Sequence, residues 1–140
     1  MIRKDILTQL KTDLKDKLNS TNDYNSDPMN VIEGKVNYSE IYQFPTLSFY
    51  MFRDIVTDEH LGDSREREMS LIIYGYAETH LNDFDNIHLL AQDVEEFLYN
   101  EDHWTYSDLT LLGDVEFDII NYDNEKSVFF LLVKIEYTQD

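Results

Sequence analysis

The chain has 140 residues, 42% apolar and 14% aromatic, with no Cys and a formal charge of −18. That length and composition fit one folded domain and exclude a disordered acidic tail. The lack of Cys excludes disulfides, a thiol nucleophile and a cysteine-ligated metal, and fits a reducing cytoplasm. No run of about 18 apolar residues is present to cross a membrane. The first ten residues, MIRKDILTQL, lack the continuous apolar centre expected of a signal peptide.

A charge of this sign disfavours nucleic acid and anionic membrane surfaces as partners. It is also uneven. Residues 1–17 carry five basic against three acidic side chains, a local +2, which leaves −20 on the other 123 residues. Such acidity suits a solvated surface, a wall that repels passing DNA, a mimic of DNA, or a cation site.

Ile2, Ile6, Leu7, Leu10, Leu14 and Leu18 recur at helical spacing and predict an amphipathic helix over residues 2–19. Its opposite face carries Lys4, Lys11 and Lys15. The polar run Asn19–Pro28 predicts a mobile loop, and Val31–Tyr38 a weak strand bent at Gly34. After a loop over Ser39–Pro45, Thr46–Asp54 and Glu66–Glu78 read as strands, joined through a long polar loop at Thr57–Ser64. Ile87, Leu90, Ala91, Val94, Phe97 and Leu98 form one stripe of a second helix, with Asn82 or Asp83 as its cap. A connector over Asn100–Gly113, anchored by Trp104, leads to strands at Asp114–Tyr122 and Ser127–Tyr137, with a turn at Asp123–Lys126. The order α-β-β-β-α-β-β points to a single α+β domain: an antiparallel sheet with two helices on one face.

That layout creates a surplus. Along Ser127–Tyr137 one face holds Phe129, Leu131, Val133, Ile135 and Tyr137, while the other holds Val128, Phe130 and Leu132. The two hairpin strands repeat the pattern. With both helices on one side, Tyr50, Phe52, Ile72, Tyr74, Tyr76 and Phe130 are left on the other, where such an aromatic group marks an interaction surface unless the first strand or a long loop folds over it. Arg53, Arg65 and Arg67 flank the hairpin loop and are expected to pair with carboxylates of the same subunit or a neighbour.

Signatures of catalysis are missing. The four glycines stand apart, so no phosphate-cradling loop or dinucleotide fingerprint exists, and no nucleophile elbow is found. His80 with Asp83 and Asp85 could be drawn as a metal site, but the run Asp83–Glu95 lacks the Gly and alternating oxygen ligands of a calcium loop, and helix capping explains it better. The pairs Glu95–Glu96 and Glu101–Asp102 carry little weight as catalytic carboxylates among 29 acidic residues. Trp104 beside Tyr106 reads as a core or interface anchor rather than a stacking platform. No catalytic residue, metal or cofactor is expected.

The arrangement resembles a family: the tail-terminator (tail-completion) proteins of tailed bacteriophages, related in fold to some head–tail joining proteins. The resemblance is carried by an N-terminal helix, the FPTLSFY lead into a long hairpin, the return SREREMSLIIYGY, the helix DNIHLLAQDVEEFLYNEDHW and a C-terminal hairpin ending in KIEY. It covers nearly the whole chain and rests on element order rather than an invariant motif. It implies a structural virion protein, not an enzyme, made in the host cytoplasm and placed at the tail–neck junction. Such proteins form a ring, typically of six subunits, that caps the tail tube, ends polymerisation of the tube protein and offers a face to the head–tail connector. DNA would pass through without specific binding. The subunit interface would then use Tyr50, Phe52, Arg53, Arg65, Arg67, Ile72, Tyr74, Tyr76 and Phe130. Asp58, Glu59, His60 and Leu61 of the hairpin loop would contact a partner. Two alternatives stay open: a neck connector of the same fold, and an acidic DNA-mimic inhibitor.

Overall fold

A computed structural model describes residues 3–59, 64–79, 85–104, 110–111, 116–122 and 125–139. Helix α1 spans Arg3–Asp16 and α2 spans Asp85–Tyr99. The strands are β1 (Asn30–Glu33), β2 (Thr46–Glu59), β3 (Arg65–Glu78), β4 (Thr110–Leu111), β5 (Glu116–Tyr122) and β6 (Lys126–Gln139). They form one six-stranded sheet in the order β1-β2-β3-β6, with the outer edge of β6 shared end to end. There β5 pairs with Ser127–Leu132 and the two-residue β4 with Ile135–Glu136. The fold class is α+β as expected, with β4 as an added strand inside the expected connector.

The core follows from the periodicities. Ile6, Leu10, Leu14 and Leu18 of the first helical segment are buried, as are Ile87, Leu90, Val94 and Phe97 of α2. Both stripes share one cluster with Leu47, Phe49, Leu71, Ile73 and the Phe129–Tyr137 face of β6, so both helices lie on one side of the sheet. Each such side chain stabilises the fold by about 1.5–3 kcal/mol. Gly75 pairs with Phe129 across β3 and β6, and a methyl group at 75 would run into the Phe129 ring. The missing side chain makes room for the aromatic.

The sheet is mixed, not antiparallel as expected, because β1 runs parallel to β2, with Asn30 opposite Thr46 and Glu33 opposite Phe49. Two adjacent parallel strands need a crossover of about a dozen residues or more. Here Gly34–Pro45 supplies it as an irregular strap containing a 3-10 turn at Tyr38–Glu40. Gly34 starts the strap at φ 127°, a conformation that favours glycine, and its N–H donates to the Phe49 carbonyl at 2.8 Å.

Two expected loops differ as well. β2 continues through Thr57, Asp58 and Glu59, so the hairpin loop is shorter than Thr57–Ser64; His60 and Leu61 lie outside the described residues. Side-chain polarity hid this stretch because its strand pairing runs through backbone groups. The segment Asn19–Pro28 is pinned rather than loose. Tyr24 and Ser26 are buried, the backbone N–H and Nδ2 of Asn25 donate to Asp93 Oδ1 at 3.1 and 3.0 Å, and the Tyr24 hydroxyl meets His103 Nδ1 at 2.6 Å.

Candidate interaction surface

The second face of the sheet is where the surplus apolar residues fall, and the strap divides it. At one end Val36, Tyr38, Ile41 and Phe44 pack on Tyr74, Tyr76 and Val128, leaving Tyr76 3% exposed. Lys126 fastens the strap. Its ammonium donates to the carbonyls of Tyr38 at 2.7 Å and Ile41 at 3.2 Å and lies 4.4 Å from the centre of the Tyr38 ring, while the Tyr38 hydroxyl donates back to the Lys126 carbonyl. Tyr76 is therefore satisfied within its own chain, and is not part of an open surface.

The strap reaches as far as Tyr74, and past it the same face is uncovered. Tyr50, Tyr74 and Phe130 form a ladder across β2, β3 and β6, with ring centres 6.2 and 6.5 Å apart. These three and Ile72 are half-buried, and Phe52 is 54% exposed. A groove of about 400 Å³ opens between ladder and strap, bounded by Val36, Tyr50, Tyr74 and Lys35, whose ammonium lies 5.3 Å from the Tyr50 ring centre. Burial, with Tyr50 alongside, pushes the Tyr74 phenol up to about 12. The phenol thus stays neutral over the whole physiological range. Such a surface can bury a partner's apolar groups and offer a cation and hydroxyls at its rim.

The arginines part company. Met51 pairs with Leu71, but Phe52 is an extra residue in β2, so Arg53 pairs with Ser70 and Asp54 with Met69. This bulge turns Asp54 onto the helix face, where strict alternation would have sent it the other way. There it accepts from Arg67 Nε at 2.8 Å, from Arg3 Nε at 2.6 Å and from the Tyr137 hydroxyl at 2.5 Å, with its side chain 2% exposed. Burial alone would raise the Asp54 carboxyl, but these three hydrogen bonds outweigh it and hold it below the usual carboxylate value. Arg67 is thus an internal partner on the helix face, away from the aromatic ladder. Arg53 is exposed in the middle of β2, opposite Ser70 and next to Phe52, whereas Arg65 is exposed at the outer end of the hairpin. Asp58 pairs with Glu66 and Glu59 with Arg65 in the strand ladder at that end.

Sequence reasoning missed Asp54, because only the bulge brings it to Arg67, and it missed Lys126, whose partners are backbone carbonyls. Asp85 is the first residue of α2, while His80, Asp83 and the expected cap Asn82 lie outside the described residues. Among the described residues no three His, Asp or Glu side chains gather where they could hold a metal ion. Trp104 is buried and stacks on Phe97 at 6.5 Å; Tyr106 lies outside the described residues. Among them, too, no helix is long and apolar enough to cross a membrane.

Neither family models nor curated proteins match the sequence. Among solved structures, the chain is similar to the sheath/tube terminator of an extracellular contractile injection system (PVC), determined by cryo-EM in its extended state, with a TM-score of 0.48 and 8% identity. The match covers 100% of this chain and 57% of that one, so this chain spans a little over half of that protein's length.

Proposed function

We propose that this chain is a structural, non-catalytic tail protein that assembles into a ring, of six subunits by the sequence resemblance. In this reading the ring caps a bacteriophage tail tube, stops addition of tube protein and receives the head–tail connector. One observation carries the assembly: the aromatic ladder Tyr50–Tyr74–Phe130 lies half-buried in the single chain, with Phe52 open beside it. Half-covered aromatics of this kind are the usual centre of a protein–protein interface. A neighbouring subunit laid on that face would complete a layer that the strap only begins. The charge supports the second half of the reading. A ring of chains at −18 each repels DNA in its channel and lets it slide past unbound.

Two experiments test this. Tyr74→Asp puts a charge into the ladder at the edge of the strap; it is expected to leave a folded monomer by circular dichroism and to abolish ring formation in electron micrographs. Rings that persist in the variant sink the interface. For the role itself, tails made without this chain are expected to run overlong. Tails of normal length that lack heads would instead assign it to the connector side.

A further inference from the structure

Within this strongly acidic chain, α1 carries a basic stripe that the subunit leaves unused. Lys4, Lys11 and Lys15 fall at i, i+7 and i+11, within about 20° of one line down the helix. All three are exposed, on the side away from the buried Ile6, Leu10 and Leu14. No acidic residue stands three or four positions from any of them, and none makes an ion pair or hydrogen bond in the described structure. The opposite sign is concentrated at the far end of α2. Glu95 and Glu96 lie near its end, Glu101 and Asp102 follow, and residues 95–104 include no Lys or Arg to balance them. Acids at a helix C-terminus oppose the helix dipole, so the local cost asks for a partner. These residues border a shallow groove of about 680 Å³ that also holds Gln92 and the 55%-exposed Tyr99.

We propose that the lysine stripe of α1 docks against the acidic end of α2 on a second copy of this chain. The complementarity is between two different surfaces of one subunit, so the contact is head to tail and propagates round a ring. It deepens the assembly reading above, on which it rests, by adding a polar contact on the helix side to the aromatic one on the sheet side. Duplex DNA is the other ligand a lysine stripe could take. Three phosphate contacts are too few to hold it against the −20 carried by the rest of the chain.

The test is a charge swap on the full chain. K4E/K11E/K15E, and separately E96K/E101K/D102K, are expected to stay folded but to weaken self-association in sedimentation velocity by at least about tenfold at low salt. Mixing the two variants restores it, because each new contact again joins opposite charges. Wild-type association should also weaken at about 1 M salt, where the screening length falls to about 3 Å. Association that ignores both reversals, a mixture no better than either variant alone, or a wild type with no salt-sensitive association overturns the proposal. So does duplex DNA binding that K4E/K11E/K15E abolishes while self-association is unchanged. Failure here is separable from failure of the ring. Charge-insensitive assembly that Tyr74→Asp still destroys keeps the ring and removes the stripe, whereas salt-sensitive association without ring closure does the reverse.

Discussion

The two faces of β6 are made of the same kinds of residue and meet different fates. Phe129, Leu131, Val133, Ile135 and Tyr137 are at most 2% exposed beneath two helices, whereas Phe130 and Leu132, one position along, are only half-buried. The helices close their face because regular stripes of Leu and Ile lie flat against the pleat. The strap cannot close the other, because twelve irregular residues with polar backbone of their own reach only as far as Tyr74, Tyr76 and Val128. Helix packing accounts for folding of the chain. The uncovered remainder is available for assembly.

The largest effects should separate the faces most sharply. Phe129→Ala is expected to cost about 3–5 kcal/mol in urea unfolding, as for a large aromatic removed from a closed core. Phe130→Ala should cost about 1 kcal/mol or less in the isolated chain. Equal costs would erase the distinction between the closed and the open face. Gly75→Ala should lie between them at about 1–3 kcal/mol, since the added methyl collides with Phe129.

The polar end of the helix face comes next. Asp54→Ala leaves Arg3, Arg67 and the Tyr137 hydroxyl without their shared acceptor, and an expected loss of about 3 kcal/mol follows. The pH dependence has a definite sign. The folded-state value of Asp54 is depressed, so its contribution is fully present above the unfolded carboxylate value of about 3.9 and is lost as pH falls through the lower folded one. Asp54→Asn should remove that part of the acid sensitivity. Unchanged acid unfolding in the variant would show that Asp54 does not anchor α1 to the sheet.

How much of this is legible in sequence depends on whether a feature lives in side-chain periodicity. The stripes of α1 and α2 and the two faces of β6 do, and they read off directly. The surplus of aromatics on the second face also reads off from Tyr50, Tyr74 and Phe130. Strand direction does not: alternation in Val31–Glu33 is the same for parallel and antiparallel pairing, so β1 reads as a strand but its parallel pairing does not. Nor does the Phe52 bulge, which reverses the parity of Arg53–Val56, until a second register shift after Val56, and moves Asp54 to Arg67. The strap's attachment is hidden for a third reason, since Lys126 binds backbone carbonyls that every residue possesses.

The strap itself offers a moderate test. Lys126→Met keeps the aliphatic stem but removes the donor to Tyr38 and Ile41, with an expected loss of about 1 kcal/mol. Amide exchange should quicken over residues 34–45 while the core amides of β3 and β6 stay slow. If exchange accelerates uniformly, the strap is part of the global folding unit and the boundary between covered and open halves is lost.

The smallest effect probes that boundary at one hydroxyl. Tyr74 has a folded value pushed up to about 12, against about 10 for an unfolded tyrosine. Its contribution is therefore intact below about pH 10 and is lost as pH climbs through the folded value. Burial also raises Tyr24, Tyr76 and Tyr137, so absorbance titration should show a late phase shared by several phenols, whose amplitude should fall in Tyr74→Phe. Because Tyr50 is the neighbour that adds to burial, Tyr50→Phe should move the Tyr74 step back toward neutral pH without removing it. Assembly over the ladder would add desolvation, so the step should move further up when subunits associate. An unmoved Tyr74 titration in assembled material would place the subunit contact elsewhere than on this half of the sheet.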